Sequence, residues 1–544
     1  MLGRTASSLI LAGALAFAQH KHPDSTAAKP AELLEGLGNH VHPVATKSEL
    51  AQKFFNQGLA LIYGFNHDEA ARMFARAAEL DPKSPMPHWG IAYALGPNYN
   101  MPPMPDREEK AWKAIEKATE LAKDAPENEK AYIDALVKRY SKDPAADRKQ
   151  LAVVYRDAMK TVADQYPDDL DAATLYAESI MNLRPWALWA ADGTPAEGTL
   201  EVLEVLERVL RRNPQHPGAN HYYIHAVEAS KNPERALPSA NRLGALMPGA
   251  GHLVHMPSHI YIRTGDHQTS AAVNETAAAV DKKYIERSGA TGVYPLMYYS
   301  HNLHFVAYAR MMQGRYADAL DYSRRLRKNV QGAIDDMPML APFGAFEWLV
   351  LTRFGKNNEM LAEPEPKEKS AMLHAYYRYA RGLAFAGLNR VADAKAERER
   401  MEAVCGRFTD QDKLMINNAK DVAAIGLADL DARIARAAQD SDAEIANFRR
   451  AVELQDKLLY MEPPEWHYSM REALGAALLR KGQAAEAETV FREDLEHHPR
   501  NGRSLYGLLE ALKKQQKSAS IDWVQREFAE SWKNGGIALA IGDL

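Results

Sequence analysis

The histidines of this 544-residue chain are concentrated in one stretch, because nine of the 19 lie between His216 and His304. His221 and His225 are four positions apart, and so are His255 and His259. On a helix this spacing places two imidazoles on one face, about 5–6 Å apart between Cβ atoms, which lets both bind one metal ion. The interval from His221 to His255 also equals the interval from His225 to His259. In a fold built from stacked repeats of that length, the two pairs would be neighbours.

A transition-metal site is the chemistry that this pattern favours. The predicted ligands are His221, His225, His252, His255, His259, His301, His304 and Glu178. Imidazole and carboxylate ligands without thiolate suit copper, zinc, iron or nickel. A catalytic metal would also need an open coordination position and a nearby acid or base, for which the candidates are Glu178, Tyr308 and Tyr261. The segments HYYIH and HLVHMPSH have no Glu after the first His, so they do not predict a zinc protease.

Two other interpretations of the same residues stay open from the sequence alone. The histidines would be ordinary core or surface residues if both ring nitrogens of each found hydrogen-bond partners. Alternatively, the patch would bind a small organic molecule or a peptide, with Tyr222 and Arg263 helping to hold carboxylates or a chain terminus.

Composition removes several other classes of function. The 67 basic and 72 acidic residues leave a formal charge of −5, which argues against a polybasic nucleic-acid binder. The single cysteine, Cys405, excludes a disulfide framework or a cysteine-built metal site within the chain. No segment reaches the roughly 20 apolar residues of a membrane span. The sequence also has no Gly-rich phosphate loop, GxSxG elbow or dinucleotide fingerprint.

The start of the chain predicts export. Residues 1–18 have the pattern of a signal peptide, with Arg4, an apolar run over 8–17 and the small-residue site Ala16-Phe17-Ala18. The mature protein would then begin at Gln19 and be periplasmic or secreted. Residues 19–47 are rich in Pro, Lys, Ala and His without a helical period, so we expect a flexible leader with exposed histidines, including His40 and His42.

Helical periodicity dominates from Ser48 onward, and no stretch alternates as a strand would, so the chain is predicted to be all-α. The segment FFNQGLALIYGFNHDEAARMFARAAELDP, residues 54–82, contains a small residue between two amphipathic helices and then Ala70, Phe74, Ala77 and Pro82. It resembles the tetratricopeptide repeat (TPR), a helix-turn-helix unit of about 34 residues. The segment ALGAALLRKGQAAEAETVFREDLEHHP resembles it in the same way, and so do the residues around Gly314.

The TPR resemblance implies a right-handed α-solenoid whose concave groove is lined by the first helix of each repeat. It also implies that the histidines above face this groove. We expect residues 48–544 to form one solenoid, with inserted loops near 96–108, 184–197, 272–290 and 362–370. The insertion near 272–290 is expected to contain a helix around Asn274 to Arg287. TPR proteins are usually interaction scaffolds, so the alternative function is a scaffold that binds peptides or partner proteins without chemistry of its own.

Overall fold

The computed structural model describes residues 31–544, which contain α-helices and no β-strand. The all-α prediction is confirmed. The predicted signal peptide lies outside the described residues. The helices are α1 Glu49–Tyr63, α2 His67–Leu80, α3 Met86–Leu95, α4 Pro105–Leu121, α5 Glu127–Val137, α6 Arg148–Gln165, α7 Leu170–Met181, α8 Thr199–Arg212, α9 Pro217–Val227, α10 Leu237–Leu246, α11 Gly251–His255, α12 Pro257–Arg263, α13 His267–Ser288, α14 Tyr299–Met312, α15 Tyr316–Val330, α16 Ala341–Arg353, α17 Asn357–Ala362, α18 Ala371–Gly387, α19 Val391–Cys405, α20 Ala419–Ala437, α21 Ser441–Gln455, α22 Met470–Arg480, α23 Ala484–His497, α24 Gly502–Lys514 and α25 Ser518–Trp532.

Successive helices pack as helix-turn-helix pairs, and glycine–phenylalanine contacts hold the pairs together. Gly58 of α1 and Gly90 of α3 both face the buried ring of Phe74 in α2. A Cβ at either glycine would come within 2.6 Å of that ring, so only glycine fits there. Gly475 and Gly507 enclose Phe491 in the same way and with the same spacing in the sequence. The two segments that resemble TPR units in sequence therefore share one packing device, and the fold is a TPR-type solenoid.

The apolar core of the solenoid has two main parts that meet within α12. The first runs from Leu37 to Tyr261, and the second from Ile262 to Leu544. Distant turns of the solenoid also touch each other. Gly265 lies against the backbone of Pro499, and Gly314 lies against the ring of Trp532. The C-terminal repeats therefore fold back against the middle of the chain, and the groove becomes partly enclosed.

Three long connections lie at or near the positions of the expected insertions. Non-helical segments cover 96–104, 182–198 and 363–370. Residues 272–288 belong to α13, in agreement with the helix expected around Asn274 to Arg287. This helix follows the capping residue Asp266 and continues to the left-handed Gly289 because no Pro or Gly interrupts it. The long connections at 406–418 and 456–469 were not predicted. No helix among the described residues is long and apolar enough to cross a membrane.

The N-terminal segment, residues 31–47, contains no helix but is packed against the solenoid. His40 Nε2 and His42 Nδ1 lie 2.8 and 2.9 Å from the carboxylate oxygens of Asp171 in α7. His42 is buried, which differs from the exposed leader histidines that we expected. The reason is that Asp171 is itself buried and has two oxygens to satisfy, which these imidazoles do together with His216 and Tyr63.

Candidate metal centre

Four helices of the groove bring six of the predicted histidines together. His221 and His225 lie on α9, His252 and His255 on α11, His259 on α12 and His301 on α14. Met256, between α11 and α12, has helical φ and ψ angles, so these two helices continue as one and keep the i,i+4 spacing. Pro257 interrupts only the hydrogen-bond ladder, because it has no N–H.

The six histidines form two adjacent triads. The first triad is His221, His225 and His252, and the second is His255, His259 and His301. Within each triad, one ring nitrogen of every histidine lies within 4.8 Å of the others. The triads adjoin each other, since the ring centroids of His225 and His259 are 5.7 Å apart. All six are buried except His301, which is half-buried.

Acceptors fixed by the fold hold the Nδ1 atoms of several rings. His221 Nδ1 lies 2.6 Å from the carbonyl oxygen of Tyr63, and His255 Nδ1 lies 2.6 Å from Asn274 Oδ1. The amide group of Asn274 donates to the carbonyl oxygen of Ser270, which fixes its oxygen toward His255. Because both partners are acceptors, both Nδ1 atoms carry the proton, and the lone pair is on Nε2.

Glu228 accepts a hydrogen bond from the Nδ1 atom of one histidine in each triad. One of its oxygens accepts from His225 Nδ1 at 2.9 Å, and the other accepts from His259 Nδ1. Burial by itself would raise the pKa of Glu228, but the two imidazoles lower it to about 2. This ionised carboxylate orients one ring of each triad, as outer-shell carboxylates do around metal-binding histidines.

Three of the Nε2 atoms are left without protein partners, and two others face each other. Within residues 31–544, the buried Nε2 atoms of His221, His225 and His252 have no hydrogen-bond partner. His255 Nε2 and His259 Nε2 face each other at 2.8 Å. Since the protons of both rings are held on Nδ1, this contact joins two lone pairs, an arrangement that is repulsive unless a cation lies between them.

The environment favours neutral imidazoles, which is the form that binds metals. Burial lowers the pKa values of His221, His252, His255 and His301 well below the usual range, and the repulsion that protonated neighbours would exert on each other lowers them further. The pKa of His259 is lowered less, because the charge of Glu228 opposes burial.

One phenylalanine ring lies against each triad. Phe65 has ring centroids 4.5, 5.7 and 5.5 Å from those of His221, His225 and His252. Phe305 is 4.7, 5.1 and 4.9 Å from His255, His259 and His301. Phe65 also has φ +54°, a left-handed conformation that is uncommon for a bulky residue. Both rings exclude water from the backs of the imidazoles and limit ring rotation.

The other predicted site residues lie elsewhere. Both oxygens of Glu178 are bonded, to Tyr93 Oη and to the amide of Asn182, and Glu178 belongs to neither triad. His304 lines the same groove but packs edge-on against Phe346 instead of joining a triad. The hydroxyl of Tyr261 donates to Asn241, and Tyr308 packs near His267. Neither tyrosine lines the cavity at the second triad, whereas Tyr298 does.

Three polar residues at the site were missed from the sequence. Glu228 follows His225 by three positions, a spacing that does place both on one helical face. Asn274 and Glu462 gave no local signal, because α13 and the connection 456–469 reach the site only through the packing of distant helices. Glu462 is buried, and its Oε2 lies 3.8 Å from His259 Nδ1.

Comparison with known proteins finds similarity among solved structures only, at low sequence identity. No protein-family model matches the chain, and no curated protein matches it in sequence. The human IFIT1 dimer with PPP-AAAA is 12% identical over 88% of this chain and 94% of its own, with a TM-score of 0.34. The APC/C hetero-tetramer Cut9-Hcn1 is 10% identical over 86% of this chain and 78% of its own, with a TM-score of 0.32. The P58(IPK) TPR domain is 15% identical over 80% of this chain and 99% of its own, with a TM-score of 0.22.

Proposed function

We propose that this protein binds two transition-metal ions, one in each His triad, in the groove of its solenoid. The observation that carries the proposal is the arrangement of the Nε2 atoms. The Nε2 atoms of His221, His225 and His252 are buried and lack partners, and those of His255 and His259 face each other at 2.8 Å. The Nδ1 atoms of four of the rings donate to fixed acceptors. Leaving so many polar atoms unsatisfied costs roughly 1–3 kcal/mol each, which metal binding would offset.

The spacing of the nitrogens fits a metal ion. Two nitrogens that are each about 2.0–2.1 Å from one ion, at an angle between about 90° and 110°, lie about 2.8–3.4 Å apart. His255 Nε2 and His259 Nε2 are 2.8 Å apart. A shared proton would also fit this distance, but it would make one ring an imidazolium, and both rings have lowered pKa values. Imidazole ligands with a carboxylate behind them suit copper, zinc or iron.

Three protein ligands per ion leave a coordination position open, as catalytic sites do. Such an ion would polarise a bound molecule or activate water. Two buried carboxyl groups, Glu228 and Glu462, approach the second triad at His259 Nδ1. We therefore infer a metal-dependent enzyme rather than a metal store, without assigning the reaction. The predicted signal peptide supports export, so the metal would be acquired in the periplasm or outside the cell.

The test is the metal content of the mature protein, produced without a His-tag and dialysed against a weak chelator. We expect about two equivalents of one transition metal by elemental mass spectrometry, either as purified or after reconstitution with copper, zinc or iron. A His304→Gln variant is the matched control, since it removes a buried groove histidine outside both triads and should retain the metal. Absence of retained metal after all three reconstitutions would overturn the proposal and leave a peptide- or protein-binding scaffold as the function.

A further inference from the structure

A cavity adjoins the second triad. Its volume is about 180 Å³, and it is enclosed by groove helices, the loop after α3 and the connection 456–469. Seven of the residues that line it are methionines, and the rings of Trp186, Phe343 and Phe346 also line it, with those of Tyr298 and Tyr376. The wall is therefore largely apolar and, because methionine is flexible and polarizable, adaptable to a flat ring.

Polar side chains also line this wall. His225, His252, His259 and His301 supply the metal side of the cavity, and Glu462 lies next to His259. The other polar side chains of the wall are Asn100, Tyr298, His304, Tyr376, Glu465 and His467. Of the two carboxyl groups, Glu465 accepts hydrogen bonds from the backbone of Met415 and Ile416. Glu462 is 1% exposed, and neither of its carboxyl oxygens has a hydrogen-bond partner among the described residues. A buried carboxyl group without a partner is costly, so a ligand that supplies the partner would bind with a substantial advantage.

The volume limits what the ligand can be. An engineered apolar cavity of about 150 Å³ stays dry and binds benzene. A cavity of 180 Å³ therefore accommodates one six-membered aromatic ring with a small substituent, and it is too small for a peptide. A carboxyl group accepts a hydrogen bond from a hydroxyl in either protonation state, so the substituent that satisfies Glu462 is a hydroxyl group.

We propose that the cavity binds a monocyclic phenol, with the ring between the methionine and phenylalanine side chains and the hydroxyl group on Glu462, facing the second triad. The inference rests on the proposed function in one respect, namely that the phenol is then the molecule presented to the metal. Binding itself needs only the cavity and Glu462, so it is measurable in the metal-free protein.

The experiment compares two probes of similar size, 4-fluorophenol and 4-fluorotoluene, by fluorine NMR titration of the mature chain after chelation. We expect saturable 1:1 binding of 4-fluorophenol, at least tenfold tighter than that of 4-fluorotoluene, since the methyl group leaves the Glu462 carboxyl unpaired. Glu462→Leu should lower the affinity for 4-fluorophenol to that for 4-fluorotoluene. Glu462→Gln, which keeps a hydrogen-bonding group, should retain most of the preference.

Three results would overturn the inference: no saturable binding, equal affinity for the two probes, or an undiminished preference in Glu462→Leu. If Glu462→Leu fails to fold, the comparison of the two probes on the unmodified chain still decides. Elemental analysis of the same preparation before chelation, and again after reconstitution, separates the two proposals. Phenol binding by a chain that never retains metal would overturn only the metal centre, and metal retention without phenol binding would overturn only this inference.

Discussion

Replacing Glu228 by glutamine is the sharpest test of how the metal centre is built. The two oxygens of Glu228 accept from His225 Nδ1 and from His259 Nδ1, so one carboxylate fixes a ligand in each triad. A glutamine has only one acceptor oxygen, and its amide group donates. One of the two imidazoles would therefore move its proton from Nδ1 to Nε2 to accept from the amide, and that Nε2 would no longer bind metal.

The magnitude follows from the loss of this orienting contact. Mutation of an outer-shell partner lowers metal affinity by about 10–100-fold, or about 1.4–2.8 kcal/mol. Because only one of the two rings can keep the remaining acceptor oxygen, we expect Glu228→Gln to lower the affinity for one of the two ions by this amount. The affinity for the other ion should fall much less. Competition against a chromophoric chelator, with zinc as the probe at pH 7, would resolve the two steps.

The matched control is Glu178→Gln. Glu178 is also buried on a groove helix, but its oxygens are bonded to Tyr93 and Asn182. Its replacement should leave both zinc affinities within about twofold. The reasoning would be refuted if Glu228→Gln, folded by circular dichroism, bound both ions as tightly as the unmodified chain, or if Glu178→Gln weakened them more.

The remaining predictions concern the ligands, the core and the N-terminal segment. Replacing His225 and His259 together by glutamine removes a ligand from each triad. Elemental analysis of this variant should find less than one metal equivalent, while the helical circular dichroism is retained. A content of two equivalents would contradict the assignment. Phe74→Ala should lower the free energy of unfolding by about 3–5 kcal/mol in denaturant titrations, because the ring is fully buried between two glycines and leaves a cavity. The contact between the N-terminal segment and α7 should depend on pH. Burial would raise the pKa of Asp171, but its contacts with histidines lower it below 3.8. Burial would lower the pKa of His42, but its contact with Asp171 raises it above 6.5. The contribution of Asp171 to stability is present above about pH 4 and is lost as the pH falls through the pKa of Asp171 in the folded state. The contribution of His42 is complete below about pH 6.5 and is lost as the pH rises through the pKa of His42 in the folded state. Amide exchange of residues 34–47, corrected for intrinsic rates, should thus be slowest between about pH 4 and 6.5, and Asp171→Asn should remove this dependence.

The sequence predicts the groove histidines better than their partners. The i,i+4 spacing and the equal interval between the two pairs identify His221, His225, His255 and His259, because helical and repeat periods are visible in the chain itself. The same reasoning placed Glu178 with them, but it ignored the neighbouring helix α3, where Tyr93 offers a hydroxyl to that carboxylate. A repeat register indicates which residues face the groove and does not indicate which of them meet across it.

Other parts of the site depend on contacts that periodicity does not encode. Asn274 belongs to a different helix from His255, which it orients, and Glu462 lies several repeats further along the chain than His259. Their positions are set by the length of α13 and by the fold-back of the C-terminal repeats. His40 and His42 likewise looked like tail residues, because nothing local reveals the buried acceptor Asp171.

The second triad takes its histidines from α11, α12 and α14, and this has a consequence for how the protein could be divided. The turn at Gly289–Gly292 follows α13, and a Cβ at either glycine would meet nothing within 4 Å. A chain cut there would carry five of the six triad histidines on one fragment and His301 on the other. The second triad would then be complete only when the fragments re-associate. Binding of the second ion would therefore report that the two fragments have re-associated. Fused to two other polypeptides, the fragments would report by metal binding whether those polypeptides interact.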